Sequence, residues 1–178
     1  NTLYFLEDIN TERQSWQPSG QTDSSNPIYL ESIGSTLYFQ ADGSSATGQE
    51  LWAYNTTNST PWLVADINPG SGNGNPRYIT PIGTSIVFAA NDGTNGNELW
   101  TYETTNDSYW RVSDINTGTP MSTDPQLRLD DRHSAVLGTR LMFWAVARSF
   151  HCIQVVWMNN SFAGSIKVTF VFLSDFSS

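Results

Sequence analysis

The sequence predicts an all-β fold made of tandem four-stranded antiparallel, propeller-like blades, about 3.5 repeats of roughly 48 residues. Three observations carry that prediction. Segments recur at a fixed spacing, the recurring segments read as short strands closed by turn signals, and the composition suits strands. Of the 178 residues only 14% are charged while 13% are aromatic, with seven Trp, seven Tyr and nine Phe. Aromatic and hydroxyl side chains pack well on a pleated, half-buried surface, whereas disorder needs few aromatics and high net charge.

Glu50-Leu51-Trp52 returns as Glu98-Leu99-Trp100, and Asp66-Ile67-Asn68 as Asp114-Ile115-Asn116, both at an offset of 48. Asn26-Pro27 returns as Asn75-Pro76 and Ile33-Gly34 as Ile82-Gly83, both at 49. Weaker copies flank these: Asp8-Ile9-Asn10 upstream, and Asp124-Pro125, Leu137-Gly138-Thr139 and Val155-Val156-Trp157 downstream. The expected units are a partial 1–25, then 26–74, 75–123 and a degenerate 124–178, forming one repeat array over 1–178. On this register the chain begins near the end of one unit and ends near the end of another.

Within a unit the strands follow in order. Arg77 to Thr80 is a short strand after Pro76, whose missing N–H is tolerated at a strand start. Thr84 to Ala90 is an apolar, β-branched run stopped by the turn signal Asn91-Asp92-Gly93. Glu98 to Tyr102 and Tyr109 to Asp114 complete the four. Residues 1–125 contain no sustained 3.6-residue period. The stretch from Arg140 to Met158 is ambiguous: as a repeat copy it is strand, degraded turn, strand, and in isolation Leu141 to Trp157 also fits a helix.

The Glu-Leu-Trp triplets, the Asp-Gly turns at Asp42-Gly43 and Asp92-Gly93, and the following Asp-Ile-Asn and Asn-Pro elements resemble the bacterial ELW-x-x-DGT repeat family. The likeness spans about residues 26–118. It departs after each Trp, where Asn-, Thr- and Ser-rich segments replace the family's Asp-Gly-Thr turn. The resemblance implies a β-propeller-like extracellular scaffold of large secreted proteins, and it supplies no catalytic residues.

Charge excludes some partners. Residues 1–125 hold fourteen Asp/Glu against three Lys/Arg, a net of −11, and residues 126–178 carry +2, giving −9 for the chain. An acidic surface with no basic stripe repels phosphate backbones, so nucleic acid is not an expected partner. Lys167 is the single lysine, which argues against a polybasic lipid-binding patch. Apolar runs such as Leu141 to Ala147 are far shorter than the roughly 20 residues a spanning helix needs, so no membrane insertion is expected. Cys152 is the only cysteine, so an intrachain disulfide is impossible. The absence of an initial Met and leader is read as a mature form or a fragment.

Asn-x-Ser/Thr sequons stand at Asn55, Asn58, Asn106 and Asn159. Asn58 and Asn106 are 48 apart, each six residues beyond its repeat Trp, and Asn159 follows Trp157 by two. Turn composition alone generates some sequons by chance. Recurrence at one place in successive units favours N-linked glycans along one edge of the array.

Other chemistry is weaker. The Asp42…Glu50 and Asp92…Glu98 loops offer carboxylates for Ca²⁺, but their spacing is not that of an EF-hand, and Asp-Gly is an ordinary hairpin turn. Trp52, Trp100 and Trp157 would stack on sugars in a lectin, yet one aromatic per unit at one strand position is the pattern of core packing between repeats. His151-Cys152 and Asp130-Asp131 are adjacent pairs, whose side chains point to opposite faces on a strand, and His133 has no Ser or Cys at a suggestive spacing. The expected role is therefore non-enzymatic: an N-glycosylated structural scaffold, extracellular or on the cell surface. It would self-associate through open strand edges into a filament or surface assembly. The alternatives are a carbohydrate-binding, lectin-like propeller or a piece of a larger secreted propeller protein. A propeller-fold enzyme would need carboxylates gathered in a central channel.

Overall fold

A computed structural model describes residues 8–12 and 23–113, together with strand backbones over 134–137, 140–147, 150–157 and 167–171. The described residues are all β, with no helix. Among the described residues twelve strands form three four-stranded antiparallel sheets, each a simple meander with neighbours in chain order.

The first sheet contains β1 (Ile28–Ile33), β2 (Thr36–Asp42), β3 (Gln49–Asn55) and β4 (Thr60–Ala65). The second contains β5 (Arg77–Ile82), β6 (Ser85–Asn91), β7 (Asn97–Glu103) and β8 (Ser108–Ser113). The strands expected within residues 77–113 are therefore present to within one or two residues at each end. The third sheet contains β9 (Ser134–Leu137), β10 (Arg140–Ala147), β11 (Phe150–Trp157) and β12 (Lys167–Val171). Here β10 pairs antiparallel with β11 from Arg140↔Trp157 to Ala147↔Phe150, so the ambiguous stretch is a strand hairpin and not a helix.

The first two sheets repeat each other down to their backbone exceptions. Both open with a two-residue hairpin, Ile33↔Thr36 and Ile82↔Ser85, whose first turn residue, Gly34 or Gly83, has φ of 59° or 62°. Primed hairpin turns need that positive φ, and only glycine adopts it without steric cost. Both close with a four-residue hairpin, Asn55↔Thr60 and Glu103↔Ser108, with Ser59 and Asp107 left-handed at 57° and 54°. The first strand of each sheet carries a bulge, with Tyr29 and Tyr78 left-handed at 57° and 56°. The connection from β2 to β3 spans 43–48 while that from β6 to β7 spans 92–96. That single-residue difference is why anchors before it recur at 49 and those after it at 48.

The two sheets pack on one another. Tyr38, Leu51, Ala53, Ala65 and Ile67 from the first unit meet Ile79, Ile86, Phe88, Ala90, Trp100 and Tyr102 from the second in one buried cluster. Tyr38 and Tyr102 touch across it at 5.9 Å between ring centroids, and the bulge residues Tyr29 and Tyr78 touch at 5.6 Å. The opposite face of the first sheet buries Phe39, Ala41 and Tyr54, with Ile9, Leu37 and Trp52 against them. Alternation along β2 explains the division: Tyr38 faces one way, and Leu37, Phe39 and Ala41 the other.

Candidate functional site

Two features recur in register: the exposed tip of the hairpin that closes each unit, and a buried glutamate at the start of the third strand. The tips are the candidate modification sites. Asn58 lies in the 56–59 turn and Asn106 in the 104–107 turn, and both are exposed. Asn55 is the last residue of β3, where its side-chain oxygen accepts the Thr57 N–H at 2.8 Å. Asn106 Oδ1 accepts the Ser108 hydroxyl of its own sequon. The turn between β7 and β8 is further fixed by Tyr102, whose hydroxyl donates to Asp107 Oδ1 at 2.8 Å. Burial, followed by this contact with the Asp107 carboxylate, pushes the Tyr102 hydroxyl well above its usual range. Asn159 lies outside the described residues.

Glu50 occupies the other feature. Its side chain is fully buried, and both oxygens accept backbone N–H groups from the 66–76 connection between the units. Oε2 accepts Ile67 N–H at 2.8 Å, and Oε1 accepts Gly74 N–H at 2.6 Å and Asn68 N–H at 3.3 Å. A Cβ on Gly74 would collide with this carboxylate, so only glycine lets the backbone come so close. Burial pushes the Glu50 carboxyl up to about 7 even though the three N–H groups favour its ionised form. Glu98, buried at the same place in the second unit, is its repeat equivalent.

The connection that Glu50 holds reaches both ways. Asn73 Oδ1 accepts Gln49 N–H at 2.9 Å, and Asn75 N–H donates to Gln49 O at 3.0 Å. On the far side Asn68 lies against Gly93 in the β6–β7 turn, where a Cβ would come within 2.7 Å of its Oδ1. Upstream, Glu12, two residues after Asp8-Ile9-Asn10, makes a comparable contact: its Oε2 accepts Ser45 N–H at 2.7 Å and its Oε1 accepts the Ser45 hydroxyl at 2.9 Å. Asn68 and Glu12 thus each touch the connection between the second and third strands of the sheet that follows in the chain.

The four carboxylates considered for calcium have different surroundings. Asp42 lines an open polar cleft of about 440 Å³ with Glu12, Asp23, Asn10 and Asn73. Burial, then the charges of Asp23 and Glu12, raise its carboxyl. Glu50 is engaged as described, and Glu98 is buried. Burial acts to raise Asp92, but hydrogen bonds from Asn95 and Thr94, with the charge of Arg111, outweigh it and hold the carboxyl below its usual value. Its oxygens accept Thr94 N–H at 2.9 Å, Asn95 N–H at 2.7 Å and Asn95 Nδ2 at 2.7 Å, which is a self-capped turn. Among the described residues no three His, Cys, Asp or Glu side chains gather as a metal-holding group.

The repeat tryptophans differ. Trp100 is only 8% exposed and donates Nε1–H to Ala90 O at 3.1 Å, inside the cluster between the sheets. Trp52 is half-buried, its ring lying over Gly43, and its buried Nε1 has no hydrogen-bond partner. Trp157 ends β11, as His151 and Cys152 fall within it, while Asp130, Asp131 and His133 lie outside the described residues.

Sequence reasoning grouped Glu50 with metal ligands and missed its role as acceptor for the connection. A signal existed: Glu50 and Asp66-Ile67-Asn68 recur together at one common offset of 48, as parts in contact would. No protein-family model matches the chain, and no curated protein matches it either.

Proposed function

We propose that this chain is a non-enzymatic extracellular or cell-surface scaffold, an array of propeller-like blades N-glycosylated at its hairpin tips. It self-associates through open strand edges into a filament or surface assembly. One observation carries the reading. Two successive units repeat strand for strand, and each presents a sequon at the same exposed four-residue turn, Asn58 in one and Asn106 in the other. A glycan at such a tip points into solvent and leaves the packed faces free. The family likeness of the Glu-Leu-Trp and Asp-Ile-Asn elements supports a secreted scaffold. The buried Trp100 and the buried Glu50 support a structural use of the repeated residues, since each holds one unit to the next or to its connection.

The test is the intact mass of native material before and after enzymatic removal of N-linked glycans. The reading expects a mass above the 19.8 kDa of the polypeptide, returning to it on treatment. Peptide mapping should place sugar on Asn58 and Asn106. A native mass equal to the bare chain would remove glycosylation from the proposal.

A further inference from the structure

An asparagine followed by glycine is a place of spontaneous chemistry. The glycine nitrogen, once deprotonated, attacks the asparagine Cγ, and glycine has no Cβ to obstruct the ring closure. The sequence holds two such pairs, Asn73-Gly74 and Asn95-Gly96, each followed by a further asparagine, and two slower aspartate counterparts, Asp42-Gly43 and Asp92-Gly93. The structure engages three of the four glycine amides. Gly43 N–H donates to Gly48 O at 3.1 Å, Gly93 N–H to Asn91 Oδ1 at 2.8 Å, and the buried Gly74 N–H to Glu50 Oε1 at 2.6 Å. Gly96 lies just before β7, outside its ladder, and its N–H donates to no acceptor among the described residues. The side chains do not separate the two asparagine pairs, since each is held by a hydrogen bond: Asn73 Oδ1 accepts Gln49 N–H at 2.9 Å, and Asn95 Nδ2–H donates to Asp92 Oδ2 at 2.7 Å. The glycine amides do separate them.

We infer that Asn95 is a self-modification site, converting without an enzyme to aspartate and isoaspartate, and that Glu50 closes the same chemistry at Asn73. A base from solvent removes the Gly96 N–H proton, the nitrogen bonds to Asn95 Cγ, and the Cγ–Nδ2 bond breaks as ammonia leaves with a proton from water. The cyclic imide takes up one water and opens at either carbonyl, giving aspartate or isoaspartate, with no oxidant or reductant involved. Asn95 and Gly96 are both partly exposed, so solvent base and water reach them. At Gly74 the proton lies instead in a buried hydrogen bond to a carboxyl oxygen. Conversion of Asn95 removes the Nδ2–H bond to Asp92 and sets a second carboxylate beside the first, and isoaspartate lengthens the main chain of the β6–β7 turn by one carbon. Asn68 of the connection lies against Gly93 in that turn, so the modification loosens a contact between the units.

The site stands on this turn alone and holds whether or not the chain self-associates. The experiment is peptide mapping by mass spectrometry of the full chain, incubated native in mildly alkaline buffer beside a sample unfolded in guanidinium chloride. Deamidation adds about 1 Da to a peptide, and isoaspartate is told from aspartate by its electron-driven backbone fragments. Releasing a buried N–H from its acceptor lowers the reactive population about tenfold or more, so native Asn95 should convert at least about tenfold faster than native Asn73. In the unfolded sample both glycine amides are free and the two rates should converge. Native rates that are equal, or faster at Asn73, would overturn the inference. So would an Asn95 that stays intact in the native chain while both pairs convert in the unfolded one. Asn95→Asp, which has the unbranched product in place from the start, should lower the denaturation midpoint; an unchanged midpoint would overturn the link between the modification and the turn.

Discussion

Replacing Glu50 with alanine tests its role as acceptor for the connection between the first two units. The carboxylate accepts the buried N–H groups of Ile67 at 2.8 Å and Gly74 at 2.6 Å, and the partly buried N–H of Asn68 at 3.3 Å. Alanine offers none of these an acceptor. A stranded buried donor costs about 1–3 kcal/mol, so the two well-formed buried bonds set a loss of roughly 2–6 kcal/mol. Water entering the vacated space recovers part of this, which places the expected loss near 3 kcal/mol. Against a total stability of about 5–15 kcal/mol this is a large fraction. Two assays read it: the urea midpoint of unfolding, and hydrogen exchange at the Ile67 and Gly74 amides. Both amides should lose protection, while the exposed control Glu31→Ala should stay within about 0.5 kcal/mol of wild type. A Glu50→Ala loss below about 1 kcal/mol with the Gly74 amide still protected would refute the reasoning.

The remaining predictions follow from the same contacts. The Glu50 carboxyl is raised from 4.5 to about 7, so the folded state holds its proton more tightly than the unfolded state; this group's contribution to stability falls as pH rises between those values, and Glu50→Gln should flatten that slope in melts at several pH values. Asp92 and Glu103 are held below their usual values, so their contribution has the opposite sign and is lost on acidification below the ordinary carboxylate range. Trp100→Phe should cost about 1 kcal/mol more than Trp52→Phe, because only Trp100 loses a hydrogen bond, to Ala90 O; equal denaturation midpoints would contradict this. Gly48→Ala should be clearly worse than Gly34→Ala although both have positive φ, since a Cβ at 48 runs into the Gly72 carbonyl and one at 34 meets nothing within 4 Å. A chelator should leave the melting temperature unchanged, as the oxygens of Glu50 and Asp92 are engaged by N–H groups; a fall on chelation would restore the calcium reading.

Much of the fold was legible because repetition supplies several independent copies of each local signal. The run from Thr84 to Ala90, expected as a strand stopped at Asn91-Asp92-Gly93, is β6 to within one residue at each end. Asn58 and Asn106, six residues after a repeat Trp, stand in the turns that join β3 to β4 and β7 to β8. Three things were hidden for physical reasons. A tyrosine gives no sign of a left-handed backbone, so the bulges at Tyr29 and Tyr78 could not be anticipated from residue type. The Glu50 contact is non-local, joining residues 17 and 24 positions apart through backbone N–H groups that every residue type carries. Trp52 and Trp100 occupy one repeat position yet differ in burial, because Trp100 faces the first sheet while Trp52 packs near Ile9 on the opposite side. The stretch 140–157 is apolar at both helical and strand periods, and its pairing as β10 and β11 decides between them.

The measurement that bears most directly on the central claim is negative-stain electron microscopy of native material. A self-associating array predicts extended fibres or continuous surface layers, with a regular repeat along their length. Discrete rings or single particles at all concentrations would contradict the scaffold reading.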